Sequence, residues 1–147
     1  MKTEKNALRS RAARVASTCY VVRLRALNRV ISSIYNKAFS TKDLTVSQFN
    51  ILTAIVKREP VALGKISAVL YIEKSTLSRS IDLMRKDGWI STESKGRTLL
   101  ISMTDKGRNL YEHALPLWEQ AQRKVRELAG EEVFHQIAST VRSLGKQ

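Results

Sequence analysis

Hydroxyl and basic side chains are concentrated on one face of residues 73–88. On the other face Leu77, Ile81 and Met84 recur at i, i+4 and i+7, the spacing of a helix packed on a core. Short hydroxyl side chains let a helix backbone approach a surface closely, and Lys and Arg suit phosphate oxygens and guanine edges. The pattern therefore indicates a helix that enters the major groove of DNA. The predicted DNA contacts of this helix are Lys74, Ser75, Thr76, Ser78 and Arg79.

The alternative for this segment alone is a surface helix with a solvated, charged face. Its flanks favour the first interpretation. A short helix is predicted at about 63–70, and it leads through Tyr71 and Ile72 directly into the polar segment, which is the layout of a helix-turn-helix. Gly88 then ends the second helix, as a glycine after a helix C-terminus commonly does.

A β-hairpin is predicted immediately after this helix. Residues 89–93 and 99–103 are strand-like, and the second run alternates apolar and polar side chains. The connection between them carries Lys95, Gly96 and Arg97, and an arginine at a hairpin tip can enter a narrow minor groove or bind phosphate. An ordinary exposed hairpin is the alternative, but a hairpin beside a helix-turn-helix is a wing, which favours DNA contact.

The charge of the chain restricts its partners. Its 26 Lys and Arg exceed its 13 Asp and Glu, which gives a net charge of +13 over 147 residues and predicts a polyanionic partner. Double-stranded DNA is the first candidate and an anionic membrane surface the second. No apolar run approaches the ~20 residues that span a bilayer, and the first residues are charged, so we expect a cytoplasmic protein and no membrane partner.

Residue types needed for catalysis or metal binding do not form a pattern. The sequence has no G-x-S-x-G, no glycine-rich phosphate loop and no clustered acids, so we expect no enzyme activity. One cysteine and two histidines cannot supply zinc-site spacing, so we expect no structural metal and no cofactor.

Helices are predicted on both sides of this central region. Residues 15–39 contain no Pro or Gly and carry an apolar stripe, which predicts one long helix. Thr45 and Gln48 form a capping box, and Thr104 is a plausible N-cap. The last helix carries a seam of apolar residues at 3-4-3 spacing, which predicts packing against another helix in a homodimer. The seam consists of Phe134, Ile137, Val141 and Leu144.

These elements predict a mainly α protein with a small β wing. Residues 1–14 form a basic arm that frays or is ordered only by a partner, with a solvated tail as the slightly preferred interpretation. Residues 15–44 and 105–147 form a helical dimerisation region, and residues 45–104 form the winged helix-turn-helix, all within one domain.

In this order the elements resemble the MarR family of winged-helix transcriptional regulators, from about residue 15 to residue 144. The similar motifs are LTVSQF at 44–49, KSTLSR at 74–79, LMRKDGWI at 83–90, MTDKG at 103–107 and ALPLW at 114–118. The resemblance implies a homodimeric repressor that binds a pseudo-palindromic operator and is released by a small-molecule effector. Two positions differ from the family pattern: Lys95 replaces an Asp that usually holds the tip arginine, and Glu73 replaces an Asp. Because Glu is a poorer N-cap, we expect Ser75 or Thr76 to supply the capping oxygen.

Cys19 lies where some MarR-like regulators carry a redox-active cysteine. Arg23, one turn later, could favour the thiolate, which gives an alternative function as an oxidation sensor. A lone cysteine more often simply packs, and the chain has no second cysteine to resolve a sulfenic acid. We therefore predict a structural role for Cys19.

Overall fold

The structure, a computed structural model, describes residues 2–145. This part of the chain contains seven α-helices and three β-strands. The helices are α1 (Lys2–Thr18), α2 (Tyr20–Phe39), α3 (Val46–Val56), α4 (Leu63–Leu70), α5 (Lys74–Lys86), α6 (Asp105–Ala129) and α7 (Glu131–Leu144). The strands are β1 (Val61–Ala62), β2 (Ile90–Lys95) and β3 (Thr98–Met103). The predicted mainly α fold with a small β wing is confirmed. The chain divides into two compact units, one ending at Ser33 and the other starting at Ile34.

The N-terminal unit differs from the prediction in two respects. Residues 2–14 of the predicted arm are helical, residue 1 lies outside the described residues, and the predicted long helix 15–39 is interrupted at Cys19. Alanine and arginine, which are strong helix formers, are common in α1. The interruption follows Ser17 and Thr18, whose hydroxyls both donate to the Arg14 carbonyl, at 3.0 and 2.8 Å. Such side-chain bonds compete with the backbone ladder and bend helices.

The second unit is built around a core of side chains from α3, α4, α5 and the sheet. Its fully buried large residues include Phe39, Ile51, Leu52, Ile55, Ile66, Leu77, Ile81, Met84 and Ile101. The predicted capping box starts α3: Gln48 N–H donates to the Thr45 hydroxyl, and Thr45 N–H donates to the Gln48 side chain. Phe49 on α3 stacks on Tyr111 of α6 with ring centroids 5.0 Å apart, which ties α6 to the core.

The sheet is antiparallel with the strand order β1-β3-β2. Strand β1, in which Val61 pairs with Ile101 of β3, was not among the predicted elements. Beside it the Glu59 carboxylate accepts a hydrogen bond from the Met103 N–H at 2.8 Å and pairs with Arg108 at 2.6 Å. Glu59 thus connects the loop after α3 to the end of the wing and to the first turns of α6.

The two C-terminal helices begin and end close to the predicted positions. Thr104 caps α6 by accepting from the Gly107 N–H, and Gly130 separates α6 from α7 with a positive φ of 81°. Tyr35, near the end of α2, donates to the Gln122 side chain on α6, and burial raises the pKa of its phenol. The four residues of the predicted seam on α7 are 39–62% exposed.

Candidate nucleic-acid interface

Helix α5 has the two unlike faces that the sequence predicts. Leu77, Ile81 and Met84 are at most 2% exposed, so they fix one face of α5 on the core. The predicted DNA contacts on the opposite face are all exposed: Lys74, Ser75, Thr76, Ser78 and Arg79. The Arg79 guanidinium makes no hydrogen bond or ion pair with another described residue. Because the buried stripe prevents rotation of α5, the polar face is held outward.

The start of α5 is left open to a ligand. Glu73 is its N-cap residue but makes no side-chain capping hydrogen bond. The expected substitute is also absent among the described residues, since neither the Ser75 nor the Thr76 hydroxyl caps the helix. Both hydroxyls therefore remain available at an N-terminus whose backbone N–H groups favour phosphate oxygens.

The turn between α4 and α5 is tight and well bonded. Tyr71 adopts a left-handed conformation with a φ of 53°, which is uncommon for a residue other than glycine. The Ser67 hydroxyl donates to the Ile72 carbonyl at 2.7 Å, and the Ile72 N–H donates to the Ser67 carbonyl at 3.1 Å. These bonds define the angle at which α5 leaves α4, which completes the helix-turn-helix.

The wing carries its basic residues at the tip. The last paired residues of the hairpin are Lys95 and Thr98, so Gly96 and Arg97 form a two-residue turn. Gly96 has a φ of 62°, whereas Arg97 has no positive φ, which fits a type II′ turn with glycine in its first central position. Lys95, Gly96 and Arg97 are all exposed, and among the described residues Arg97 has no carboxylate partner.

The fold brings the wing tip and α5 together. Arg97 lines an open cleft of about 550 Å³ together with Lys74 and Ser78 of α5. Lys65 of α4 lines the same cleft, and no carboxylate does so among the described residues. A concave surface with three cations and no acid attracts a polyanion such as a phosphate backbone. Lys65 was not among the predicted DNA contacts; the available signal was a lysine in the first turns of the helix before α5.

Cys19 lies at the break between α1 and α2 and is partly buried. The Arg23 guanidinium, which could have favoured a thiolate, donates instead to the Ser17 carbonyl at 3.1 Å. Among the described residues no cluster of His, Cys, Asp and Glu is suited to a metal ion. No helix in the described part of the chain has the length and apolar character needed to cross a membrane.

The helix-turn-helix, the wing and their shared cleft define a winged-helix protein. A model of the MarR family matches residues 42–97, which include α3, α4, α5, β2 and the wing tip. An uncharacterised HTH-type transcriptional regulator from Bacillus cereus is 27% identical over 85 residues. That match covers 58% of this chain, and this chain spans only 58% of the relative.

Solved structures match over more of the chain. The transcriptional regulator MosR of Mycobacterium tuberculosis superposes with a TM-score of 0.80 at 26% identity and covers 90% of this chain and 99% of its own. MosR solved in complex with DNA gives a TM-score of 0.77 at 27% identity, with 87% and 94% covered. These findings confirm the predicted resemblance: the chain is similar to winged-helix transcriptional regulators of the MarR family.

Proposed function

We propose that this protein is a sequence-specific, double-stranded DNA-binding transcriptional regulator. One observation carries the proposal: the exposed polar face of α5 and the basic wing tip line one cleft that contains no carboxylate among the described residues. Serine, threonine and arginine at the start of α5 suit base edges, whereas Lys74, Lys95 and Arg97 suit phosphates. The similarity to MosR, which has been solved with DNA, supports the same function.

We propose a homodimer as the binding form. The α7 seam leaves Phe134 50% exposed and Leu144 62% exposed, and α2 exposes Val21, Leu24 and Val30 by about as much. Large apolar patches of this kind are typical of protein interfaces. Residues 15–44 and 105–147 then supply the dimerisation region, and residues 45–104 supply the DNA-binding region. Two α5 helices in a twofold dimer suit a pseudo-palindromic operator.

Repression and release by a small molecule are the finer parts of this proposal. The family resemblance supports both. An open cleft of about 550 Å³ beside Trp89 is the candidate effector site. Lys42, Lys106 and His113 line it together with Asp43 and Asp87, so its charge does not select a class of effector. The oxidation-sensing alternative through Cys19 is not favoured, because the chain has no second cysteine to resolve a sulfenic acid.

The direct test is selection of bound sequences from a random duplex library with the full-length protein. We expect enrichment of a pseudo-palindromic sequence with half-sites about one helical turn apart. Failure to enrich any sequence, despite measurable binding to the starting library, would contradict sequence-specific regulation and leave nonspecific nucleic-acid binding as the function.

A further inference from the structure

The charge of the N-terminal unit is strongly unbalanced. Residues 1–33 contain eight Lys or Arg and one acid, Glu4, so more than half of the +13 net charge lies in less than a quarter of the chain. After Glu4 the next acidic residue is Asp43. Solvated protein surfaces usually intersperse both signs of charge. An unbalanced surface of this size indicates a polyanionic partner for this unit.

The like charges of α1 are neighbours on the helix surface. Lys5 and Arg9 are four residues apart and Arg11 and Arg14 three apart, and all four are exposed. Like charges at these spacings oppose helix formation, and a bound polyanion removes that repulsion. At 1.5 Å per residue these four cations span about 14 Å of helix. At 3.6 residues per turn the pair Lys5 and Arg9 lies on the side of α1 opposite the pair Arg11 and Arg14, so the two pairs face phosphates on two sides of the helix.

A second copy of the chain is a poor match for the four cations of α1. Lys and Arg are as numerous as Asp and Glu in residues 105–145, so the C-terminal helices carry no excess of acid. Two of their carboxylates already have local partners, since Glu127 pairs with Lys124 at 3.8 Å and Glu131 with Arg126 at 3.4 Å.

A membrane surface is also a poor match. Helices that lie in a bilayer interface bury Trp, Phe or Leu from one face. Helix α1 contains no aromatic residue, and its only large apolar side chains are Leu8 and Val15. Nucleic acid is the remaining polyanion, and the proposed function already brings this protein to duplex DNA.

We propose that α1 is a second DNA-contacting element, which binds backbone phosphates through Lys5, Arg9, Arg11 and Arg14. It adds affinity at every sequence, because phosphate contacts carry no sequence information. The inference rests on the proposed function to the extent that the protein must bind duplex DNA.

The test measures the salt dependence of binding to a random-sequence duplex of about 40 base pairs, between about 50 and 200 mM salt. The α1 variant of the full-length protein carries Lys5→Gln, Arg9→Gln, Arg11→Gln and Arg14→Gln. The matched control removes four exposed charges elsewhere, with Lys37→Gln, Arg123→Gln, Lys124→Gln and Arg142→Gln. Glutamine is a good helix former, so α1 should keep its structure, which circular dichroism checks.

We expect the slope of log Kd against log salt to fall by about 0.9 for each phosphate that the α1 variant no longer neutralises. The control should keep the slope of the parent. A variant with Arg9→Lys, Arg11→Lys and Arg14→Lys should also keep it, because charge is retained. Equal slopes for the α1 variant and the control would overturn the proposal, as would a reduced slope in the lysine variant.

Two further measurements separate the possible failures. If the library selection enriches no sequence, the proposed function fails. If the selection enriches a sequence but the α1 variant keeps the parent's slope, only the inference about α1 fails. The second measurement is binding of the parent and the α1 variant to vesicles that contain anionic phosphatidylglycerol. Vesicle binding that the α1 variant loses, with its DNA slope unchanged, would assign α1 to a membrane and overturn the proposal. The preference for the selected operator over random DNA should be the same in the α1 variant and the parent.

Discussion

Gly107 fixes the first turn of α6 against the base of the wing, and its replacement by alanine tests this packing. A Cβ atom at Gly107 would lie 1.9 Å from the Trp89 carbonyl oxygen and 2.8 Å from the carbonyl carbon. The Trp89 oxygen is itself held, because it accepts the Thr104 N–H at 3.1 Å. Since both opposing groups are backbone, a rotamer change cannot relieve the clash, and α6 must move by more than one ångström.

We expect Gly107→Ala to lower the free energy of unfolding by about 3 kcal/mol, the upper end of the range for overpacking a buried site. For a chain of this size that destabilisation lowers Tm by about 6–12 °C. Gly64→Ala is the matched control, because a Cβ there meets nothing within 4 Å and the residue lies near the start of α4. We expect the control to be neutral or more stable by up to about 1 kcal/mol.

Thermal melts followed by circular dichroism, at equal protein concentration, measure both variants. A Gly107→Ala protein that melts together with the Gly64→Ala protein would refute the close packing of α6 on Trp89. Failure of Gly107→Ala to accumulate as a folded protein, with Gly64→Ala folded normally, agrees with the prediction.

Three other predictions follow from particular contacts. Glu59→Ala leaves the buried Met103 N–H without its acceptor and should cost about 1–3 kcal/mol in chemical denaturation. Arg108→Ala should cost less, because Arg108 is half exposed, and the reverse order would contradict the role given to Glu59. Ile137→Glu should convert a dimer into a monomer in sedimentation at micromolar concentration, whereas a well-folded monomeric parent would rule out the α7 interface. Cys19→Ser should bind operator like the parent, and mild hydroperoxide should affect neither. Release of only the parent by peroxide would restore the oxidation-sensing alternative.

Local sequence signals predicted most of the second unit. The capping box at Thr45, the N-cap at Thr104 and the glycine after α5 act within one helical turn, so each can be read without the fold. The stripe of Leu77, Ile81 and Met84 has the period of a buried helix and correctly predicted which face of α5 packs on the core.

Features that depend on distant or competing contacts could not be predicted in the same way. Strand β1 has two residues and exists because Val61 pairs with Ile101, forty residues later. The break at Cys19 depends on the hydrogen bonds that the Ser17 and Thr18 hydroxyls donate to the Arg14 carbonyl, and the residue types alone do not specify this acceptor. Within the candidate site, the DNA-facing residues of α5 were recognisable by type. The position of Lys65 and Arg97 in one cleft could not be predicted from the sequence, because it depends on how α4 and the hairpin pack together.

The preference of α5 for an operator over random DNA tests the central claim most directly. Arg79→Ala is compared with Arg85→Ala, an exposed arginine on the same helix whose guanidinium is paired with Asp82 at 3.4 Å. Arg97→Ala, at the wing tip, should weaken binding to operator and random DNA about equally. If Arg79 reads a guanine, its removal should cost about 1–3 kcal/mol on the selected operator and much less on random DNA, so the preference for operator falls. If the Arg79→Ala protein kept the parent's preference for operator over random DNA, this result would contradict the role of α5 as the sequence-reading helix.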